Sequence, residues 1–156
     1  DVVVTHRDER TAPVASPRVR VTELMREPLD VVVPRTSSLA QRDSVSVAEL
    51  ADHDWISVEG GFPVDDVLLS ISAVTGVAPR VTQRMLDFTT IEALVAARHG
   101  IALMPRHASR HPGVKPLVLE GVRAARVYEA LTRPRPRRAV AAVVDTLAAA
   151  AADLAE

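Results

Sequence analysis

The chain has 156 residues, a formal net charge of −1 and no cysteine. That length allows roughly 70% of the unfolded surface to be buried in one compact fold. The near-zero charge supplies no overall field for nucleic acid, and the missing thiols exclude disulfides and thiolate metal sites. Neither a charged-then-apolar leader nor an apolar span of bilayer length is visible, so no membrane partner and a cytoplasmic location are expected. The chain opens at Asp1 without an initiator methionine and enters a strand pattern at once. It therefore reads as a piece of a longer protein.

In chain order, Asp1 to Thr5 is a short β-branched run and Val19 to Leu24 alternates apolar with polar residues, so both are predicted strands. A loop with Pro13 and Pro17 joins them. "PLDVVVP", from Pro28 to Pro34, is a further apolar strand followed by polar connection. Ser46 stands three residues before Glu49 as a capping box, predicting a short helical start over Ser46 to Asp52 and then a strand, Trp55 to Val58. Gly60 and Gly61 end that strand.

From Pro63 the apolar residues fall at Val64, Val67, Leu68, Ile71 and Val74, one face of a helix. Proline begins it, Asp65 and Asp66 occupy its first turn, and Gly76 follows its end. Val77 to Met85 is a predicted strand. Thr89 and Glu92 form a T-x-x-E pattern opening a helix whose face is Ile91, Leu94 and Val95, with Gly100 as its left-handed terminator. "IALM", Val114 to Leu119 and Arg126 to Thr132 are predicted strands. A last helix from Arg138 aligns Val140, Val143, Val144, Leu147, Ala151 and Leu154. Strands of near-continuous apolar character alternating with single helices predict an α/β fold with sheets covered on both faces.

None of the patterns G-x-S-x-G, H-E-x-x-H, G-x-x-x-x-G-K-S/T or G-x-G-x-x-G occurs, so the commoner nucleophile, zinc and nucleotide signatures are missing. His107 and His111 lie four apart but lack a third ligand nearby, so a solvated pair is the better reading and no metal or cofactor is expected. Asp52, His53 and Asp54 are consecutive, point in different directions and read as a polar turn. "RPRPRR" at 133–138 offers guanidinium groups for phosphate but has no interleaved aromatic residues, and reads as an extended connector. Thr89 and Thr90 stand where unpaired backbone N–H groups and hydroxyls suit a carboxylate or other anion, plain capping being the alternative. A helix that begins just after a strand's carboxyl end is where α/β sheets place ligands.

Three stretches carry a resemblance: "EPLDVVVPRTSSLAQRDSVSVAELADHDWISVEGG", "TTIEALVAARHGIALMPRHA" and "ARVYEALTRPRPRRAVAAVVDTL". In this order they resemble LysR-type transcriptional regulators from Asp1 to the C-terminus. The resemblance implies an effector-binding domain of the type 2 periplasmic-binding-protein-like α/β fold. Two lobes would be joined by two crossover strands, Leu29 to Pro34 and Arg126 to Thr132. It implies a first lobe of residues 1–33 and 127–156, incomplete because opening strands and helices would precede Asp1, and a second lobe of residues 34–126. The winged helix-turn-helix would lie outside the chain, so DNA would be contacted only through that missing N-terminal domain.

The effector would sit in the inter-lobe cleft, with a small carboxylate among the candidates. Carried over residue by residue, its contacts would be the strand end Thr5 and His6, the turn Glu59, Gly60, Gly61 and Phe62, and the helix start Thr89 and Thr90. The glycines would let backbone N–H groups approach a ligand, Phe62 would wall one side, and Glu59 would favour an amine or hydroxyl. The resemblance further implies self-association as dimer or tetramer, through the helix Pro63 to Thr75 and the strand Pro79 to Gln83. The competing expectations are a solute-binding protein of the same fold serving transport, and a two-lobed α/β enzyme using Glu59 or His6 as acid or base.

Overall fold

The structure, a computed structural model, describes residues 1–76 and 78–155. The chain forms two compact units: residues 1–27 with 126–156, and residues 28–125.

The first unit contains β1 (Val2–Asp8), the opening part of β2 (Arg20–Pro34), β8 (Ala125–Thr132) from Arg126 onward, and α3 (Arg138–Ala155). β8 lies between β1 and β2. β1 pairs with it antiparallel, from Val2 opposite Thr132 to Asp8 opposite Arg126. β1 thus runs three residues beyond the predicted Thr5, which places Thr5 and His6 inside the strand and not at its end. Val3 and Val4 are 58% and 48% exposed, so this sheet is not apolar and covered throughout. The polar residues of the unit are the better buried: Glu27, Arg126 and Glu129 lie in the interior as ion pairs, Arg126–Glu27 at 2.7 Å and Arg7–Glu129 at 2.7 Å. On α3, Val144 and Ala151 are buried while Val143 and Leu154 of the predicted stripe are exposed.

The predicted strands Val19 to Leu24 and Pro28 to Pro34 are one element, β2. Proline removes a donor but keeps its acceptor, and the Pro28 carbonyl accepts from Arg106 N–H at 3.0 Å, so the strand continues through it.

The second unit holds the rest of β2, then β3 (Ser44–Ser46), β4 (Asp54–Val58), α1 (Pro63–Thr75), β5 (Arg80–Met85), α2 (Phe88–Ala96), β6 (Ala102–Pro105) and β7 (Val114–Glu120). β2 pairs antiparallel with β6, Val31 opposite Leu103, and with β7, Val31 opposite Leu117. β3 and β7 are parallel, as are β4 and β5. Antiparallel pairing is therefore more extensive than the strand–helix alternation suggests. Leu29 and Val31 to Val33 are all buried, the signature of a strand covered on both faces. On α1, Val64, Val67, Leu68 and Ile71 are buried, and Gly76, at φ 73°, caps the helix by donating to Ser72 O. These side chains join Trp55, Ile56, Ile91, Leu103 and Leu117 in one core, each contributing about 1.5–3 kcal/mol.

Local differences from the sequence reading have specific causes. The capping box at Ser46 and Glu49 is present, but it opens a 3-10 turn, Val47–Leu50. β3 begins at the last residue of the stretch read as polar connection and ends on Ser46, which was read as a helix start. The strand predicted from Val77 is observed from Arg80, and Val77 itself lies outside the described residues. After α2 the left-handed residue is Arg98, at φ 67°, and not the expected Gly100. Gly100 is required for another reason: a Cβ there would stand 2.7 Å from Asp54 O, where Ile101 N–H donates to that same oxygen.

Candidate functional site

β4 and β5 are parallel neighbours ending side by side, with Val58 opposite Met85. Both following segments therefore emerge at one edge of the second unit: Glu59-Gly60-Gly61-Phe62 leads into α1, and Leu86-Asp87 leads into α2. This is the carboxyl edge at which open α/β sheets place ligands.

The first loop turns through Gly61, whose φ of 88° excludes most side chains. Phe62 then serves as the N-terminal cap of α1 through its carbonyl, which accepts from the Asp65 and Asp66 N–H groups at 2.9 and 3.1 Å. Its ring is nearly half exposed, and Glu59, Gly60 and Gly61 are exposed. Beneath the loop lies a buried carboxylate. Asp65 Oδ1 accepts from Ser57 Oγ at 2.8 Å and from Arg84 Nη1 at 2.6 Å, and Arg84 Nη1 also donates to Val58 O at 2.8 Å. Asp65 thus pins a half-exposed guanidinium to the end of β4. Sequence reading missed Arg84 and gave Asp65 only to the helix dipole. The available signal was Ser57, a hydroxyl within the apolar run "WISV" that must find a partner once buried.

The second loop corrects an expectation. α2 begins at Phe88 and its N-terminal cap is Asp87, not Thr89: Asp87 Oδ2 accepts from Thr90 N–H and from Thr90 Oγ1, both at 2.8 Å. Aspartate is among the best capping residues because its carboxylate reaches the third amide of the first turn. The two Thr90 bonds, followed by smaller contributions from Thr89, hold the Asp87 carboxyl below its usual range. A negative charge thus already occupies the helix start that the sequence suggested for an anion. Glu92 is not part of a capping box either. It is buried, and its Oε1 accepts from Ser109 Oγ at 2.8 Å, Arg110 N–H at 2.8 Å and His111 N–H at 3.1 Å.

Glu59 to Phe62, Thr89 and Thr90 are therefore gathered at one edge of the second unit. Together they offer carboxylates at Glu59 and Asp87, hydroxyls at Thr89 and Thr90, the Arg84 guanidinium, and apolar surface at Phe62 and Leu86. That mixture suits a small polar molecule with hydroxyl or ammonium groups better than a bare anion.

Thr5 and His6 belong to the other unit, opposite Glu129 and Tyr128 on β8. The His6 ring meets the Tyr128 ring edge-on at 5.6 Å, and Arg126 lies 4.8 Å from the centre of the Tyr128 ring. His6 Nδ1 is buried and has no hydrogen-bond partner among the described residues. Burial first, and then the Arg126 charge, lower the His6 pKa from its ordinary value, partly offset by Glu27. Burial likewise raises the Tyr128 phenol. Among the described residues no group of three or more His, Cys, Asp or Glu side chains could hold a metal ion, and no helix is long and apolar enough to cross a membrane. His111 Nδ1 instead accepts from Gly113 N–H at 3.0 Å.

The LysR substrate binding domain model matches residues 1–152. The regulatory domain of Synechocystis PCC6803 CcmR, in complex with 2-PG, is similar in structure, with a TM-score of 0.79 at 16% identity over 97% of this chain and 73% of that one. The effector binding domain of QuiR, in complex with shikimate, gives 0.72 at 20% identity over 95% and 69%. A putative LysR family transcriptional regulator of Pseudomonas aeruginosa, the PA01 protein, gives 0.80 at 15% identity over 100% of this chain and 54% of its own. The chain thus spans about three quarters of such a regulatory domain and about half of the longer regulators. No curated protein sequence matches the chain. The fold is the mixed α/β, type 2 periplasmic-binding-protein-like kind, and the chain belongs to the LysR substrate binding domain family.

Proposed function

We propose that the chain is the effector-sensing part of a cytoplasmic, non-enzymatic LysR-type transcriptional regulator. It takes a small molecule in the inter-lobe cleft that the family resemblance implies, and so modulates DNA binding and transcription by the full-length protein. DNA is contacted by a domain outside this chain, and the regulator works as a dimer or tetramer. Residues 1–33 with 127–156, and 34–126, serve as its two lobes. Effector binding biases the regulator only to the extent that the molecule binds its alternative arrangements with different affinity. The observation that carries this reading is the shared carboxyl edge of β4 and β5, where Glu59 to Phe62 and Thr89 to Thr90 present polar groups on a unit with its own apolar core.

CcmR with 2-PG and QuiR with shikimate, a regulatory and an effector-binding domain of the same fold, support a small-molecule effector. The hydroxyls at 89 and 90 and the carboxylates at 59 and 87 fit polyols or amines. A thermal-shift screen of small carboxylates, polyols, amines and aromatics should find a stabilising compound. Thr89→Ala and Thr90→Ala should each weaken its binding by about tenfold, the worth of one buried hydrogen bond, while circular dichroism stays unchanged. Unchanged affinity in both variants would overturn the site. A helix-turn-helix encoded upstream of Asp1 supports the regulator, whereas a signal peptide there points to solute transport.

A further inference from the structure

We propose that the second unit carries another small-molecule site, at the opposite end of β4 and β5, built for a zwitterion the size of a free amino acid. The depression there has a volume of about 420 Å³, and Thr36, Asp52, His53, Arg80, Arg98 and His99 line it. That volume falls within the range of small-ligand sites. It opens beside Asp54 and Arg80, the first residues of β4 and β5, so the five-residue β4 separates it by roughly 16 Å from the carboxyl edge.

The ligand class follows from what the protein leaves unpaired. Arg80 and Asp54 are ion-paired to each other and cancel. Arg98 donates Nε to Thr36 Oγ1 at 3.0 Å, which fixes its guanidinium while its two Nη groups have no partner among the described residues. Asp52 is exposed and also has no partner among them. One fork of donors and one carboxylate therefore face the same depression. His53 and His99 add imidazoles of either hydrogen-bonding sense, and His53 Nδ1 is buried without a partner among the described residues. A simple anion would meet Asp52 and a simple cation would meet Arg98. A molecule carrying carboxylate and ammonium groups satisfies both, with its carboxylate on the Arg98 fork.

The backbone points the same way. Arg98 is the one non-glycine residue with positive φ among the described residues, at a position glycine or asparagine would occupy without strain. The strained placement directs a guanidinium to Thr36 that a relaxed glycine would not provide.

The test is a titration of the whole ¹⁵N-labelled chain with the free proteinogenic amino acids, followed by amide chemical shifts. At least one should shift the amides of residues 52–54 and 98–101 and leave 59–62 and 87–90 in place. Its deaminated acid and its decarboxylated amine should each bind at least about tenfold more weakly, as expected when one charged contact is lost. Arg98→Gly, which relaxes the backbone and removes the fork, should abolish the shifts while the melting temperature holds or rises. Asp52→Asn should weaken binding by about tenfold. Shifts confined to 59–62 and 87–90, equal binding of the acid alone, or full binding by Arg98→Gly would each overturn the proposal. None of these outcomes depends on the effector reading of the carboxyl edge.

Discussion

The two units are held together by different physics. In the second, one continuous apolar core draws on residues between Leu29 and Ala124, with Trp55, Leu68, Ile91 and Leu103 at or near complete burial. In the first, the buried apolar side chains are the small Val127, Ala130, Val144 and Ala151, while Asp8, Glu27, Arg126, Glu129 and Thr132 are buried beside them. Hydrophobic burial involves no titrating charge, whereas ion pairs respond to pH, and a buried pair becomes a liability once one member is lost. The first unit should therefore be the more sensitive to solution conditions, and the second the more sensitive to side-chain volume.

The largest effect expected from this contrast is in the second unit. Trp55→Ala should cost about 3–5 kcal/mol, because lost transfer energy and a residual cavity add. Urea unfolding measures it, and a loss under 1 kcal/mol would show that the core is not close-packed there. Glu27→Ala should come next, at about 3 kcal/mol, because Arg126 is left charged and buried. The pair Glu27→Leu with Arg126→Leu should recover most of that loss, since a well-packed apolar pair can replace a buried ion pair. If the double variant is as unstable as the single one, the cluster acts through shape and not charge.

A smaller effect is set by His6. Its pKa in the folded chain is lowered from 6.5, so the unfolded chain takes up the proton first. Stability from this group is present above 6.5 and is lost as pH falls through the folded value. Replacing His6 with Gln should flatten that acid-side slope, and an unaltered slope would assign it to other groups. The smallest effect lies on the surface. Arg42 first, then the Ser46 backbone and side chain, pull the exposed Glu49 carboxyl down to about 2. Its contribution should fade between 4.5 and about 2, and molar salt should remove most of the difference between wild type and Arg42→Ala.

The elements legible in the sequence were those with redundant signals. α1 has proline at its start, acids in its first turn, an apolar stripe and a terminal glycine, and it forms over the predicted span, although Val74, the last of the stripe, is exposed where the helix runs out past the core. α2 was legible as a helix but not at its ends. Asp87 and Thr89 are both competent caps two residues apart, and only the path of the chain out of β5 decides for Asp87. Glu92 looked like the partner of a cap because its spacing fits, yet burial sends it to the loop at 109–111. At the candidate site, the loop from Glu59 to Phe62 was named through the family resemblance, and Thr89 and Thr90 through a local capping pattern whose cap proves to be Asp87. Arg84 was not, because its role depends on Asp65, nineteen residues away in sequence. Arg98 was hidden for a similar reason: Gly100 was the obvious terminator, and nothing local shows that Asp54 O claims Gly100 instead.

β2 carries a consequence for how such a sequence can change length. It is a single strand of fifteen residues, with β8 beside it and, farther along, β6 and β7. Side chains on a strand alternate faces, so inserting one residue near Pro28 would turn every later side chain over, sending Val31 and Val33 to the face of Val32. Two inserted residues restore the parity. Length variation in this stretch of related sequences should therefore come in even steps, while the loop from Glu9 to Val19, which has no parity to keep, should vary freely.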